Sequence, residues 1–214
     1  MIAQQITSVP DSLKKYSYDE LSNIIGKKEK KGEETLYYSK VYLVKAKKEN
    51  NYREIISDWV WMGIEAKNFD INLKYSDSAI SLAKKENLDN LAKLYWRRAN
   101  IYYDQKKLKE ALNWYLIANQ YPNKSVELAE SINFNIGAIK STEGDYQEAI
   151  AIFKKCEDYP RAETFFDYPG YLLALSENYN RINQIKIANE YIIKGITTCK
   201  KKDRVETVLT LLHF

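Results

Sequence analysis

Five times along this chain a small residue is followed four positions later by a large one, and three positions after that by another small one. The sets are Ser39, Leu43 and Ala46; Ser76, Ile80 and Ala83; Ala111, Tyr115 and Ala118; Ala149, Phe153 and Cys156; and Ala188, Ile192 and Gly195. Offsets of four and seven put the three residues of a set on one stripe of an α-helix. The small positions let a neighbouring helix approach closely, and the large one fills the gap. The sets open at intervals of 37, 35, 38 and 39 residues. That period leaves room for one further helix between successive sets, and it points to a stacked array in which each unit touches mainly its neighbours.

The intervening helices carry a matching pattern. Tyr95, Ala99 and Tyr102 form a stripe ahead of Ala111, and Pro122 follows the helix that Ala111 opens. Trp59 and Gly63 make the large-then-small pair of the second unit, Ile136 and Gly137 that of the fourth. Leu172, Leu175, Ser176 and Tyr179 mark the fifth. Turns are expected at Glu143-Gly144-Asp145-Tyr146 and at Asn180-Arg181-Ile182-Asn183, where Gly and Asn suit a helix end. In the first unit only Tyr18 to Ile25 is periodic, before a charged stretch from Gly26 to Gly32. Pro10-Asp11-Ser12 is expected to cap the first helix and Asp70 the fourth, with Asp145 starting the eighth. Pro122 and Pro160 are expected to end the second helices of units three and four. Arg204 to Phe214 resume an apolar helical pattern through Val205, Val208, Leu209 and Leu212. This terminal helix is either the opening of a sixth unit in a longer natural chain or a cap on the fifth.

Tyr95, Ala99 and Tyr102, followed by Ala111, Tyr115, Ala118 and Pro122, resemble the tetratricopeptide repeat. Its motif runs large, small and tyrosine in one helix, then alanine, aromatic and alanine in the next, then proline. The resemblance covers nearly the whole chain from Tyr16 onward and is sharpest in units three and four. It implies an all-α fold of about ten helices in five pairs, stacked as a right-handed α-α superhelix, plus the terminal helix. Residues 1–10 form a lead, 11–203 the array and 204–214 the last helix. The function it implies is protein or peptide recognition without catalysis or cofactor.

The residue inventory is consistent with a binding role. His213 is the single histidine and stands next to the chain's last residue, which leaves no material for a His-based triad, general base or metal set. Glycine loops of the Walker or dinucleotide type are missing. Carboxylate pairs such as Glu33-Glu34 lie in charged helical turns, where solvation explains them. Cys156 and Cys199 are too few and too far apart for a metal cluster. Cys156 takes a small buried position, and a bridge between the two would need an oxidising compartment. The net charge of +4 is spread through alternating Lys and Glu, as on solvated helix faces. No apolar run reaches the roughly 18–20 residues that span a bilayer. Most of the 18 tyrosines are expected to pack helix against helix, leaving some for a binding surface. Met1 to Gln5 reads either as the tail of a signal peptide, which would make the mature protein exported, or as the start of a cytoplasmic one.

In stacked helix pairs of this kind the first helix of each unit lines the inner face. Helical spacing gives its outward stripe as Trp61 and Lys67 in the second unit, and Lys93, Trp96, Arg97, Asn100 and Asp104 in the third. The fourth offers Ser131, Phe134, Asn135 and Ala138, and the fifth Leu173, Glu177, Asn180 and Arg181. From these, Trp61, Lys93, Trp96, Arg97, Asn100, Phe134, Asn135, Asn180 and Arg181 are the candidate ligand-binding residues. Asn pairs with an extended backbone, Arg forks a carboxylate, and Trp supplies stacked apolar area.

Tetratricopeptide arrays that clamp a C-terminal carboxylate use Lys, Arg and Asn at set places on these helices. Asn100 and Asn135 fall on the two Asn places. Gly170 and Ala174 stand where the Lys and Arg should be, and Trp96 replaces a further Lys, so binding of chaperone tails is not carried over. Long units rich in Tyr and Lys also resemble the sensor arrays of bacterial regulators, in which the array precedes a membrane helix and an output module. A free-standing cytoplasmic adaptor is the competing reading. A helical repeat that binds nucleic acid is a third, but Asp104 and Glu177 interrupt the basic stripe it would need.

Overall fold

A computed structural model of the chain describes residues 10, 13–26, 33–122, 124–157 and 168–201. Among the described residues there are ten α-helices and no strand: α1 (Tyr18–Gly26), α2 (Glu33–Lys48), α3 (Tyr52–Glu65), α4 (Phe69–Lys85), α5 (Leu91–Asp104), α6 (Leu108–Gln120), α7 (Val126–Glu143), α8 (Tyr146–Glu157), α9 (Tyr168–Arg181) and α10 (Ile185–Lys201). They follow one another as the five expected pairs. Pro160, the expected terminal helix and His213 lie outside the described residues, as do the side chains of Cys156 and Cys199.

The repeated stripe is the buried face of the second helices. Ala46, Ala83, Ala111, Ala118 and Ala149 are fully buried, with Ser39, Ile80, Tyr115, Phe153, Ala188 and Gly195 buried beside them. Leu43, Ser76 and Ile192 are half-buried. Gly137 shows why one position of the pattern must be small. A Cβ there would stand 2.7 Å from the Phe153 ring, which packs directly on the α7 backbone.

One device ends five of these helices. Asn50, Asn87, Lys106, Gly144 and Asn183 are left-handed, with φ between 51° and 90°. The N–H of the following residue then reaches back five positions: Asn51 to the Ala46 carbonyl, Leu88 to Ala83, Lys107 to Tyr102, Asp145 to Lys140 and Gln184 to Tyr179, at 2.9–3.0 Å. This closure satisfies carbonyls that the helix end would leave unpaired. Lys67 after α3 is left-handed as well. Only Gly144 adopts that conformation without steric cost. Nothing lies near the place its Cβ would take, so Gly144→Ala is expected to cost about 1 kcal/mol through backbone strain alone. Lys106→Gly should shift the urea midpoint the opposite way. Unchanged midpoints in both variants would show that these residues do not set the turns.

Two expected caps move. Ser17, rather than Pro10-Asp11-Ser12, caps α1 in a reciprocal box: its Oγ accepts from the Glu20 N–H at 3.1 Å, and its own N–H donates to Glu20 Oε2 at 2.7 Å. The Pro10 carbonyl instead accepts from the Leu13 and Lys14 N–H groups, and Asp11 and Ser12 lie outside the described residues. Asn68, rather than Asp70, caps α4 by accepting from the Ile71 N–H at 3.0 Å. Asp70 sits in the first turn, where its charge meets the positive end of the helix. Asp145 does start α8, its carbonyl taking the Ala149 N–H, and Pro122 stands just beyond α6.

The chain divides into two compact units, Met1–Ile101 and Tyr102–Phe214. In the first, α2 packs on both α1 and α3, and α3 on α4. In the second, α6 through α10 pack each on the next, and α7 also touches α9, so the first helices of successive pairs are neighbours there. The core of this second unit gathers Ala149, Ile150, Phe153, Tyr171, Leu175, Tyr179 and Ala188. Tyrosines do much of the packing, as expected. Tyr42, Tyr95, Tyr115, Tyr168, Tyr171 and Tyr179 are buried, and Tyr37 is the exposed one among the described residues.

Candidate functional site

In the first unit the expected recognition residues come from α3 and α5. Arg98 of α5 ion-pairs with Asp77 of α4, and buried Tyr95 lies under Lys84 of α4 at 5.7 Å. Those contacts turn one face of α5 toward α4. Trp96, Arg97 and Asn100 are half-buried, and Lys93 is exposed. The Arg97 guanidinium lies 5.9 Å from the centre of the Trp96 ring, a cation–π arrangement. Burial alone lowers the Arg97 pKa from its ordinary value, and an Arg remains charged regardless. The Trp96 indole Nε1 is buried without a hydrogen-bond partner. A half-desolvated cation beside an unsatisfied N–H is an arrangement that a carbonyl or carboxylate would complete.

In the second unit the candidates are less alike. Phe134 is built into the core, its ring 4.8 Å from that of Tyr171 and 5.6 Å from that of Phe153. Packing therefore accounts for this residue. Asn135 is half-buried on α7, and Asn180 and Arg181 are exposed at the end of α9. Arg181 acts electrostatically on half-buried Glu177, whose carboxyl burial pushes up and Arg181 draws back down.

A further feature of the first unit brings Trp61 together with residues that spacing along the chain did not point to. Helices α1, α2 and α3 line a cavity of 130 Å³ that opens to the surface, between Ser22, Ile25 and Gly26 of α1, Tyr42 of α2, and Ser57, Asp58 and Trp61 of α3. Trp61, named from its register, is thus a wall of this cavity. Asp58 is only 4% exposed, and its Oδ1 accepts from Ser39 Oγ at 2.7 Å. Burial pushes its carboxyl up to about 6, while the Ser39 bond and the more distant charge of Lys47 pull the other way. Among the described residues no cation forms an ion pair with it. The Tyr42 hydroxyl donates to Glu54, and its ring meets Tyr18 edge-on at 5.1 Å. Burial and the bonded glutamates raise both phenol pKa values. A signal for this site was present in the sequence: Asp58 is the one charge in the run Ile55-Ile56-Ser57-Asp58-Trp59-Val60-Trp61.

Among the described residues no group of three or more His, Cys, Asp and Glu side chains is placed to hold a metal ion. Nor is any helix long and apolar enough to cross a membrane.

Residues 130–162 match the family model of the tetratricopeptide repeat. The fold is tetratricopeptide-like. That match begins within α7 and takes in α8, the fourth unit, where the motif reads most clearly alongside the third. Among solved structures the chain is similar to the Rap protein complexed with Competence and Sporulation Factor, with TM-score 0.58 and 17% identity over 90% of this chain and 62% of that one. It is also similar to BtubC (BKLC) from P. vanneervenii, with TM-score 0.56 and 12% identity over 87% of this chain and 88% of that one. The chain thus spans less than two thirds of the length of the Rap protein. No curated protein matches it in sequence.

Proposed function

We propose that this tetratricopeptide-like chain is a non-enzymatic scaffold that recognises a protein or peptide, and that it forms the sensing or interaction portion of a larger bacterial regulatory protein. One observation carries the recognition reading: α5, the first helix of its pair, holds the half-buried Arg97 guanidinium beside a Trp96 indole N–H that lacks an acceptor. Both groups are suited to an extended backbone or a carboxylate, and Asn100, one helical turn away, adds a group that pairs with backbone amides. Similarity to a Rap protein that was solved with Competence and Sporulation Factor supports the regulatory part. A free-standing adaptor is the other reading.

Replacing Trp96 and Arg97 together by alanine is expected to weaken capture of the native partner by about thirtyfold, the effect of losing a central anchor pair. The melting temperature should stay near that of the parent, because neither residue belongs to the buried stripe. Co-purification from the source cell with mass spectrometry, followed by titration of the recovered partner, measures this. Equal affinity in the variant would remove the site. The mass of the protein recovered from the source cell tests the larger-protein part, which a value of 25.1 kDa would overturn.

A further inference from the structure

We propose that the cavity between α1, α2 and α3 receives the side chain of a lysine or arginine from a bound polypeptide, with Asp58 as its counter-charge and Trp61 and Tyr42 as aromatic walls. This rests on the reading of the first unit as peptide-binding and gives one of its subsites a chemistry.

The placement follows from helix geometry. Asp58 and Trp61 are three residues apart and share a face of α3, while Ser22, Ile25 and Gly26 share a face of α1. The two faces and Tyr42 of α2 meet around the same space. Charge then selects the occupant. A buried carboxylate is costly unless it is paired and hydrogen-bonded. Among the described residues, Asp58 has one hydrogen bond, from Ser39, and the remote Lys47 as an opposing charge. An ionised carboxylate accepts up to about four hydrogen bonds, so it retains capacity for an ammonium or guanidinium group. The flanking rings of Trp61 and Tyr42 add cation–π attraction and cover an aliphatic arm.

Size and exclusion agree. An engineered cavity of about 150 Å³ takes benzene, so 130 Å³ suits the end of a lysine or arginine side chain. An anionic side chain would meet Asp58 directly, with Glu54 one turn away. A neutral apolar side chain would fill the space and leave the Asp58 carboxylate buried without a counter-charge.

The test uses the whole protein, 15N-labelled, with the Trp61 indole N–H signal assigned through Trp61→Phe. The probes are the N-acetyl methylamides of lysine, arginine, norleucine and Nε-acetyllysine. Lysine or arginine should move the Trp61 signal saturably, with the two neutral probes at least tenfold weaker. In Asp58→Asn that preference should vanish. Neutral probes binding wild type as well as the cations do would overturn the proposal, and so would a preference that survives in Asp58→Asn. The wild-type comparison needs no variant, so it decides the matter even if Asp58→Asn were to misfold. Partner capture through Trp96 and Arg97 is a separate readout: if it succeeds while the probes fail, only the lysine or arginine pocket is lost.

Discussion

Replacing Ala111 by glutamate is expected to destabilise the second unit by about 3–5 kcal/mol, the cost of leaving a charge buried without a partner. Ala111 opens the buried stripe of α6 and is fully buried, as are Tyr115 and Ala118 on the same face. Burial is the main cause that raises the Tyr115 phenol pKa, so this face is poor in water. A glutamate there would have to lose its hydration or its charge, and the side chain would need room that a closely approached alanine does not leave. Domains are stable by only about 5–15 kcal/mol in total, so the loss should be plain in a urea titration followed by circular dichroism. Leu116→Glu is the matched control, since Leu116 is 44% exposed on the same helix. It should move the midpoint by no more than about 0.5 kcal/mol. If Ala111→Glu melts like the parent, the stripe is out of register.

The parts of the structure that could be read from the chain are those governed by residues close together in sequence. The stripe from Ala111 to Ala118 spans two helical turns, and the Gly144 turn is set by one residue with φ of 90°. Each is decided locally, and each fell where the spacing put it. Caps were harder because neighbouring residues compete for them. Asn68 and Asp70 are both good capping types, and the choice went to Asn68 because Lys67 turns left-handed just before it. Lys67 and Lys106 take that conformation without being Gly or Asn, so composition gave no warning. The cavity at Asp58 was the least legible part. Its walls come from Ser22, Tyr42 and Trp61 on three helices, and no spacing within one helix reveals that they face each other. Register named Trp61 from its own helix, while Asp58 needed the packing of α1 and α2 before its burial could be known.

Asp58 also makes stability depend on pH in a direction that a single substitution can reverse. Its carboxyl titrates near 6 in the fold and near 3.9 in an unfolded chain. The folded state therefore holds more protons than the unfolded state between those values, and stability falls as pH rises through the interval. The contribution is fully present below about pH 4 and lost above about pH 6–7, a change of about 3 kcal/mol at 1.36 kcal/mol per pKa unit. Asn cannot ionise, yet its amide oxygen keeps the place that accepts from the Ser39 hydroxyl, and its amide group faces a cavity wide enough for water. Asp58→Asn is thus expected to be about 2 kcal/mol more stable than wild type at pH 8 and no more stable than wild type at pH 4. Urea midpoints of both proteins at the two pH values give the double difference, in which every other titrating group cancels. An equal difference at pH 4 and pH 8 would mean that Asp58 is hydrated in the folded protein. The same carboxylate would then lack the unmet demand for a counter-charge that makes the cavity selective for a cation. Stability and ligand preference are two readings of one buried charge: the substitution that relieves the fold at pH 8 is the one that should abolish discrimination between lysine and norleucine.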